Sequence, residues 1–157
     1  MNPNIGLADK NRVAVVKLLQ ALLADAVVLE TRTRNAHWNI TGPHFHHLHE
    51  MFGAQYDALG ETVDELAERI RHLGGRPAGT LTEFLHAARL KETPGEFPNA
   101  AGWLRALLHG HEAAIRQLRA DVETSGKLGD AGTNDFLVGL MEAHEKTAWM
   151  LRASLEA

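Results

Sequence analysis

The chain has 157 residues, 45% of them hydrophobic, a formal net charge of −4 and no cysteine. That is enough apolar chain for one domain with a buried core, and it excludes a disordered polymer, disulfides, thiolate zinc sites and cysteine catalysis. The negative balance argues against a nucleic-acid surface and for one that collects cations.

Residues 1–8 read as a short arm, with no basic-then-apolar leader. From Asp9, a candidate N-cap, apolar side chains recur at helical spacing at Val13, Val16, Leu19, Leu23 and Val27. Nothing interrupts them until Ile40-Thr41-Gly42-Pro43, so a first helix is expected over 9–38. The apolar run at 24–29 contains Asp25, and no run is long enough to cross a bilayer. The protein is therefore read as soluble and cytoplasmic, with no membrane partner.

Pro43 suits a first helical turn, and Phe45, Leu48, Phe52, Leu59, Val63, Leu66, Ile70 and Leu73 continue a second helix over 43–73. Gly74-Gly75 supplies its stop. Residues 74–98 are irregular, with a short helix at 81–90 capped by Thr80 or Thr82. Asn99 caps a third long helix over 100–125, closed by Ser125-Gly126. Thr133 or Asn134 caps a fourth over 135–155. Four helices of this length imply a four-helix bundle, all-α, forming a single domain across 1–157. The long link between the second and third helices allows a crossover, so those two need not be antiparallel neighbours.

Five of the ten histidines fall at His37, His44, His46, His47 and His49. Carboxylates follow at Glu61, Asp64, Glu65 and Glu68. Imidazole with carboxylate is a donor set for iron, zinc or manganese. Asp64 and Glu68 share a helical face with Glu61. His49 lies fifteen residues before Asp64 on the same helix, roughly 22 Å away, so one ion cannot bind both in one chain. His37 can approach His49 across the short turn. The simplest arrangement is a dimer with antiparallel second helices, in which His37 and His49 of one chain meet Asp64 and Glu68 of the other. Taken singly, these residues have plainer readings. The carboxylates beside Arg69 and Arg71 also fit a solvated helix face. His44, His46 and His47 also fit surface positions, and His37 a satisfied core position.

The strings His37-Trp38-Asn39, His49-Glu50-Met51, Asp64-Glu65-Leu66-Ala67-Glu68-Arg69 and Leu73-Gly74-Gly75 resemble the Dps family, the mini-ferritins named as DNA-binding proteins from starved cells. The resemblance spans nearly the whole chain. It implies a ferritin-like four-helix bundle with a short extra helix in the crossover, assembled as a hollow homo-dodecamer. It implies a ferroxidase centre at each dimer interface, with His37 and His49 from one subunit and Asp64 and Glu68 from the other. There Fe(II) is oxidised, preferentially by hydrogen peroxide, and the ferric product is stored as mineral. The loop before the last helix would form threefold pores, placing Asp130 and Asp135 at an iron-admitting channel. A turn role for Asp130 and a helix-dipole role for Asp135 remain open.

One position departs from that pattern. Four residues after His49 the family usually carries an aspartate ligand, and here stands Gly53. His46 one turn before His49, or Glu61 of the mate, are candidate replacements. A histidine-rich centre could also take zinc in place of iron. Glu83-x-x-His86 is a single Glu-x-x-His motif and reads as chance. Lys10 and Arg12 lie in or beside the first helix and the last helix runs nearly to Ala157, so DNA binding is expected to be weak or absent. Three functions compete: a peroxide-using ferroxidase and iron store, a non-catalytic metal-sequestering cage, and a DNA-coating nucleoid protein.

Overall fold

The computed structural model describes residues 3–156. Its helices are α1 (Asp9–Asn39), α2 (Phe45–His72), α3 (Leu81–Ala87), α4 (Ala100–Lys127) and α5 (Ala131–Ala153). Among the described residues there is no strand, and no helix is long and apolar enough to cross a membrane.

Two tight hairpins, α1–α2 and α4–α5, build the bundle. One apolar cluster joins Val15, Leu19, Leu22 and Leu23 of α1 to Leu66 and Ile70 of α2, Leu118 of α4 and Leu137 of α5. At the other end Ala36 and Ile40 meet Leu48, Phe52, Trp103, Leu104, Leu107 and Leu151. The start of α4 thus lies beside the end of α1, and the two helices run antiparallel. α2 touches α5 far more loosely than either hairpin packs. The second and third long helices are not neighbours, as the long link permits. Gly110 brings α4 onto α1: a Cβ there would stand 2.8 Å from Leu29 Cδ1.

The crossover lies along α1 and is held by one buried carboxylate. Asp25 accepts from Arg89 N at 2.6 Å, Leu90 N at 2.9 Å and Arg89 Nε at 2.7 Å. Arg89 also reaches Gln117 and Asp121 of α4. A buried carboxylate is tolerable when its oxygens are filled in this way. Burial, only partly offset by Arg89, raises the pKa of Asp121.

Helix ends differ in detail from the sequence reading. Ala8, not Asp9, occupies the N-cap of α1, without a side-chain cap bond. Asp9 sits inside the first turn and pairs with Arg12. Thr80 caps α3 in a reciprocal box with Glu83, and α3 ends at Ala87, short of residue 90. Glu83 is therefore engaged in a cap, which accounts for a glutamate at that position without any metal role. Asn99 caps α4 as expected. α4 runs through Ser125 and Gly126 to Lys127, and the turn comes at Gly129 with φ +77°. The correction at α5 is larger. Its cap is Asp130, whose carboxylate accepts from Thr133 N, so the helix starts at Ala131, ahead of the expected Thr133 or Asn134. Asn134 instead donates to Val122 O and Ser125 Oγ, closing the α4–α5 hairpin.

Candidate metal centre

His37 stands in the last turn of α1 and His49 near the start of α2. The link between them is fixed from below by buried Ile40, Leu48 and Phe52. Gly42 has φ +109° with open space around it, a left-handed turn position that suits glycine. This reversal brings the two imidazoles together, stacked with centroids 3.7 Å apart and planes 21° apart.

The hydrogen bonds are reciprocal. His37 Nδ1 donates to His49 O at 2.7 Å, and His49 Nδ1 donates to His37 O at 2.9 Å. A carbonyl oxygen only accepts, so each Nδ1 carries a proton. The Nδ1 atoms are thus spent on the backbone, and Nε2 is the nitrogen each ring can offer a metal in its neutral form. Tyr56 meets His37 edge-on at 5.1 Å, with the Arg34 guanidinium over its face at 5.0 Å. Phe45 stacks against His49 at 5.1 Å. Both imidazoles are half-buried, held from behind and open in front.

Asp64, Glu68 and Glu61 are exposed on α2. Their neighbouring arginines are engaged elsewhere. Arg69 bonds Asp130 and Thr133, and Arg71 bonds Gly75 O. That weakens the reading of this face as an ordinary ion-paired surface. Among the described residues, no three histidines, aspartates or glutamates gather into a metal set within the chain. The geometry of one chain is thus two imidazoles at one end of α2 and free carboxylates further along it.

His46 does not join His37 and His49 but lies exposed beside Glu50, Nε2 to Oε1 3.4 Å. His44 and His47 are also exposed. Gly53 lies directly under the His37 ring: a Cβ built there meets His37 Cε1 and Nδ1 at 3.4 Å, ordinary contact. The backbone therefore leaves room for the first atom of a side chain at 53.

The ferritin-like domain family model matches residues 16–157. The chain is 37% identical over 142 residues to DNA protection during starvation protein 2 of Bacillus anthracis, covering 90% of this chain and 96% of that one. The chain belongs to the Dps family. It is also 47% identical to an uncharacterized low temperature-induced protein of Nostoc sp., over 98% of this chain and 86% of that protein. The Dps protein of Vibrio cholerae superposes with a TM-score of 0.93 at 34% identity, covering 99% of this chain and 97% of the other. That protein is described as a member of a broad superfamily of ferritin-like diiron-carboxylate proteins. The all-α bundle with its crossover helix is accordingly the ferritin-like fold.

Two further sites in this Dps chain bear on the sequence reading. Of the two pore candidates, Asp135 is exposed, whereas Asp130 is buried within its own chain. Asp130 accepts from Thr133 Oγ1 at 2.6 Å and Arg69 at 2.9 Å as well as capping α5. Its carboxylate is filled by structural partners. The second site was missed altogether. His111 and His144 are buried against each other between α4 and α5, Nδ1 to Nδ1 at 2.9 Å. Burial, reinforced by His144 and Arg32, pushes the His111 pKa down to about 3, and burial pushes His144 down to about 4. The available signal was periodicity, since His111 follows Leu107 by four and precedes Ala114 by three on the apolar stripe of α4.

Proposed function

We propose that this chain is an iron-detoxifying and iron-storing ferroxidase whose centre is completed by two subunits of a cage. The observation that carries the reading is the reciprocal Nδ1–H to carbonyl pair of His37 and His49, which presents two neutral Nε2 donors from one rigid turn. Asp64 and Glu68 of a second copy supply the oxygens, which hold ferric iron more strongly as its charge rises. Iron is the cargo and substrate, and zinc rests on the donor set alone. Two ferrous ions give one electron each to hydrogen peroxide, the O–O bond breaks, and the oxygens leave as hydroxide or in the ferric mineral. Delivering both electrons at one place avoids release of a hydroxyl radical. The assembly proposed is the homo-dodecamer, with Asp135 as the carboxylate lining an iron-admitting pore; Asp135→Asn should slow uptake while sparing assembly. Nucleic-acid binding is proposed to be weak or absent, on the net charge of −4.

Gly53 favours one second reading, a cage that sequesters metal without oxidising it. The deciding experiment is anaerobic Fe(II) titration of the assembled protein, then peroxide, followed by ferric absorbance. Saturable binding with oxidation faster than that of free iron supports the ferroxidase. Binding with oxidation no faster than in buffer supports the sequestering cage, and no saturable binding overturns both.

A further inference from the structure

His111 and His144 play no part in the interface centre. Their ring centroids lie 5.0 Å apart with planes inclined at 51°. Two neutral imidazoles meeting Nδ1 to Nδ1 can share only one proton there. The Nε2 of His111, a residue only 2% exposed, is left buried without a partner. Gln55 on α2 has both its amide nitrogen and its amide oxygen buried and unpartnered. Unfilled polar atoms in an apolar setting are costly, and they cluster here.

They cluster around an opening. His111, His144, Gln55 and Thr62 all line a groove of about 790 Å³ where α2 and α5 pack loosely. His144 and Thr62 also border a void of about 20 Å³ in the bundle centre, room for one water. Both histidines thus line the groove, and His144 also borders the internal void.

We propose that His111 and His144 chelate a divalent transition-metal ion through their Nδ1 atoms, inside each chain and separate from the interface centre. With metal–nitrogen bonds of about 2.0–2.1 Å, the observed spacing corresponds to an angle near 90° at the ion. That is a cis pair of an octahedral or square arrangement. A tetrahedral ion would need the nitrogens about 3.4 Å apart, so α4 and α5 would have to separate by roughly half an ångström. The fit therefore favours Ni²⁺, Co²⁺ or Cu²⁺ over zinc. Water from the groove fills the other positions, with the Gln55 amide oxygen available to accept from it. Protons balance without loss. The ring that donates through Nδ1–H shifts that proton to its own Nε2, so both rings remain neutral with both Nδ1 lone pairs on the ion. Burial already holds both rings in that neutral form.

The proposal does not depend on the ferroxidase reading, and Ni²⁺ tests it. Anomalous diffraction from Ni²⁺-soaked crystals of the unaltered protein should show a peak within about 2.3 Å of both Nδ1 atoms. Calorimetric titration of the assembled cage should find an ion per chain that survives His37→Ala/His49→Ala. In His111→Leu/His144→Leu that ion should bind at least tenfold more weakly. Replacing both partners by apolar groups of similar size is the change best tolerated in folding. Peaks only elsewhere at saturating Ni²⁺, or a leucine variant that binds like the parent, overturn the site. If the leucine variant fails to assemble, the crystals still decide.

Discussion

Two histidine pairs lie in one chain and have opposite chemistry. His37 and His49 stack at the α1–α2 turn, and each gives its Nδ1 proton to the other's backbone carbonyl. His111 and His144 bond each other inside the bundle, with no carbonyl to fix either tautomer. The first pair is oriented by backbone and half-buried. The second is oriented only by packing, and burial keeps it neutral well below the usual histidine range. In the first pair the backbone fixes which nitrogen carries the proton; in the second the proton is shared between the rings and can move.

The largest effect expected from breaking the first pair is on rate. His37→Ala/His49→Ala removes both nitrogen donors, and peroxide-dependent ferric formation, followed by stopped flow, should fall by about a hundredfold or more. A rate within threefold of the parent would show that oxidation happens elsewhere. The second pair should govern acid stability. Its folded pKa values lie below that of an unfolded histidine, so from about 6.5 down to about 4 and then 3 the unfolded chain binds the extra protons. Stability is therefore full above about pH 6.5 and drains as the pH falls through that window, by on the order of a few kcal/mol in all. Thermal unfolding across pH 4–8 should show this loss, and His111→Leu/His144→Leu should flatten it. An unchanged slope in that variant would shift the acid sensitivity to other groups.

Gly53→Asp sharpens the contrast from the other side. A Cβ at 53 makes only ordinary contact with His37, and an aspartate there is expected to return a carboxylate to the open pair. Fe(II) affinity, measured by anaerobic titration, should rise by about tenfold. Weaker binding would mean the glycine is there to make room. The smallest effect belongs to His46→Ala. His46 is exposed beside Glu50, an arrangement worth little in solvent, so iron stoichiometry and rate should hold within error. A lost iron per centre would give His46 the ligand role that its position in the single chain does not suggest.

Much of this was readable from local pattern. Helical periodicity placed all four long helices, and Gly42-Pro43, Gly74-Gly75 and Asn99 marked their limits to within a few residues. The short turn after the first helix already suggested that His37 and His49 meet, as they do, and the fifteen-residue helical separation keeps Asp64 away from them in one chain, leaving their pairing with Asp64 and Glu68 a proposal. The cap of α5 was misplaced because Asp130, Thr133 and Asn134 are all good capping residues. The Asp130 Oδ1 that caps the helix also accepts from Arg69, sixty-one positions away, a partner that no local pattern shows.

By itself the sequence determined the long helices to within a few residues, allowed the crossover, and separated the candidate ligands into two groups too far apart for one chain, since these follow from rise per residue and side-chain period. Only the tertiary structure decided which carboxylates are free and which are used, that Asp25 fastens the crossover, and that one histidine pair bonds backbone carbonyls while the other is buried ring to ring. Those depend on burial and on partners distant in sequence, which set the cost of a proton or a charge at each atom.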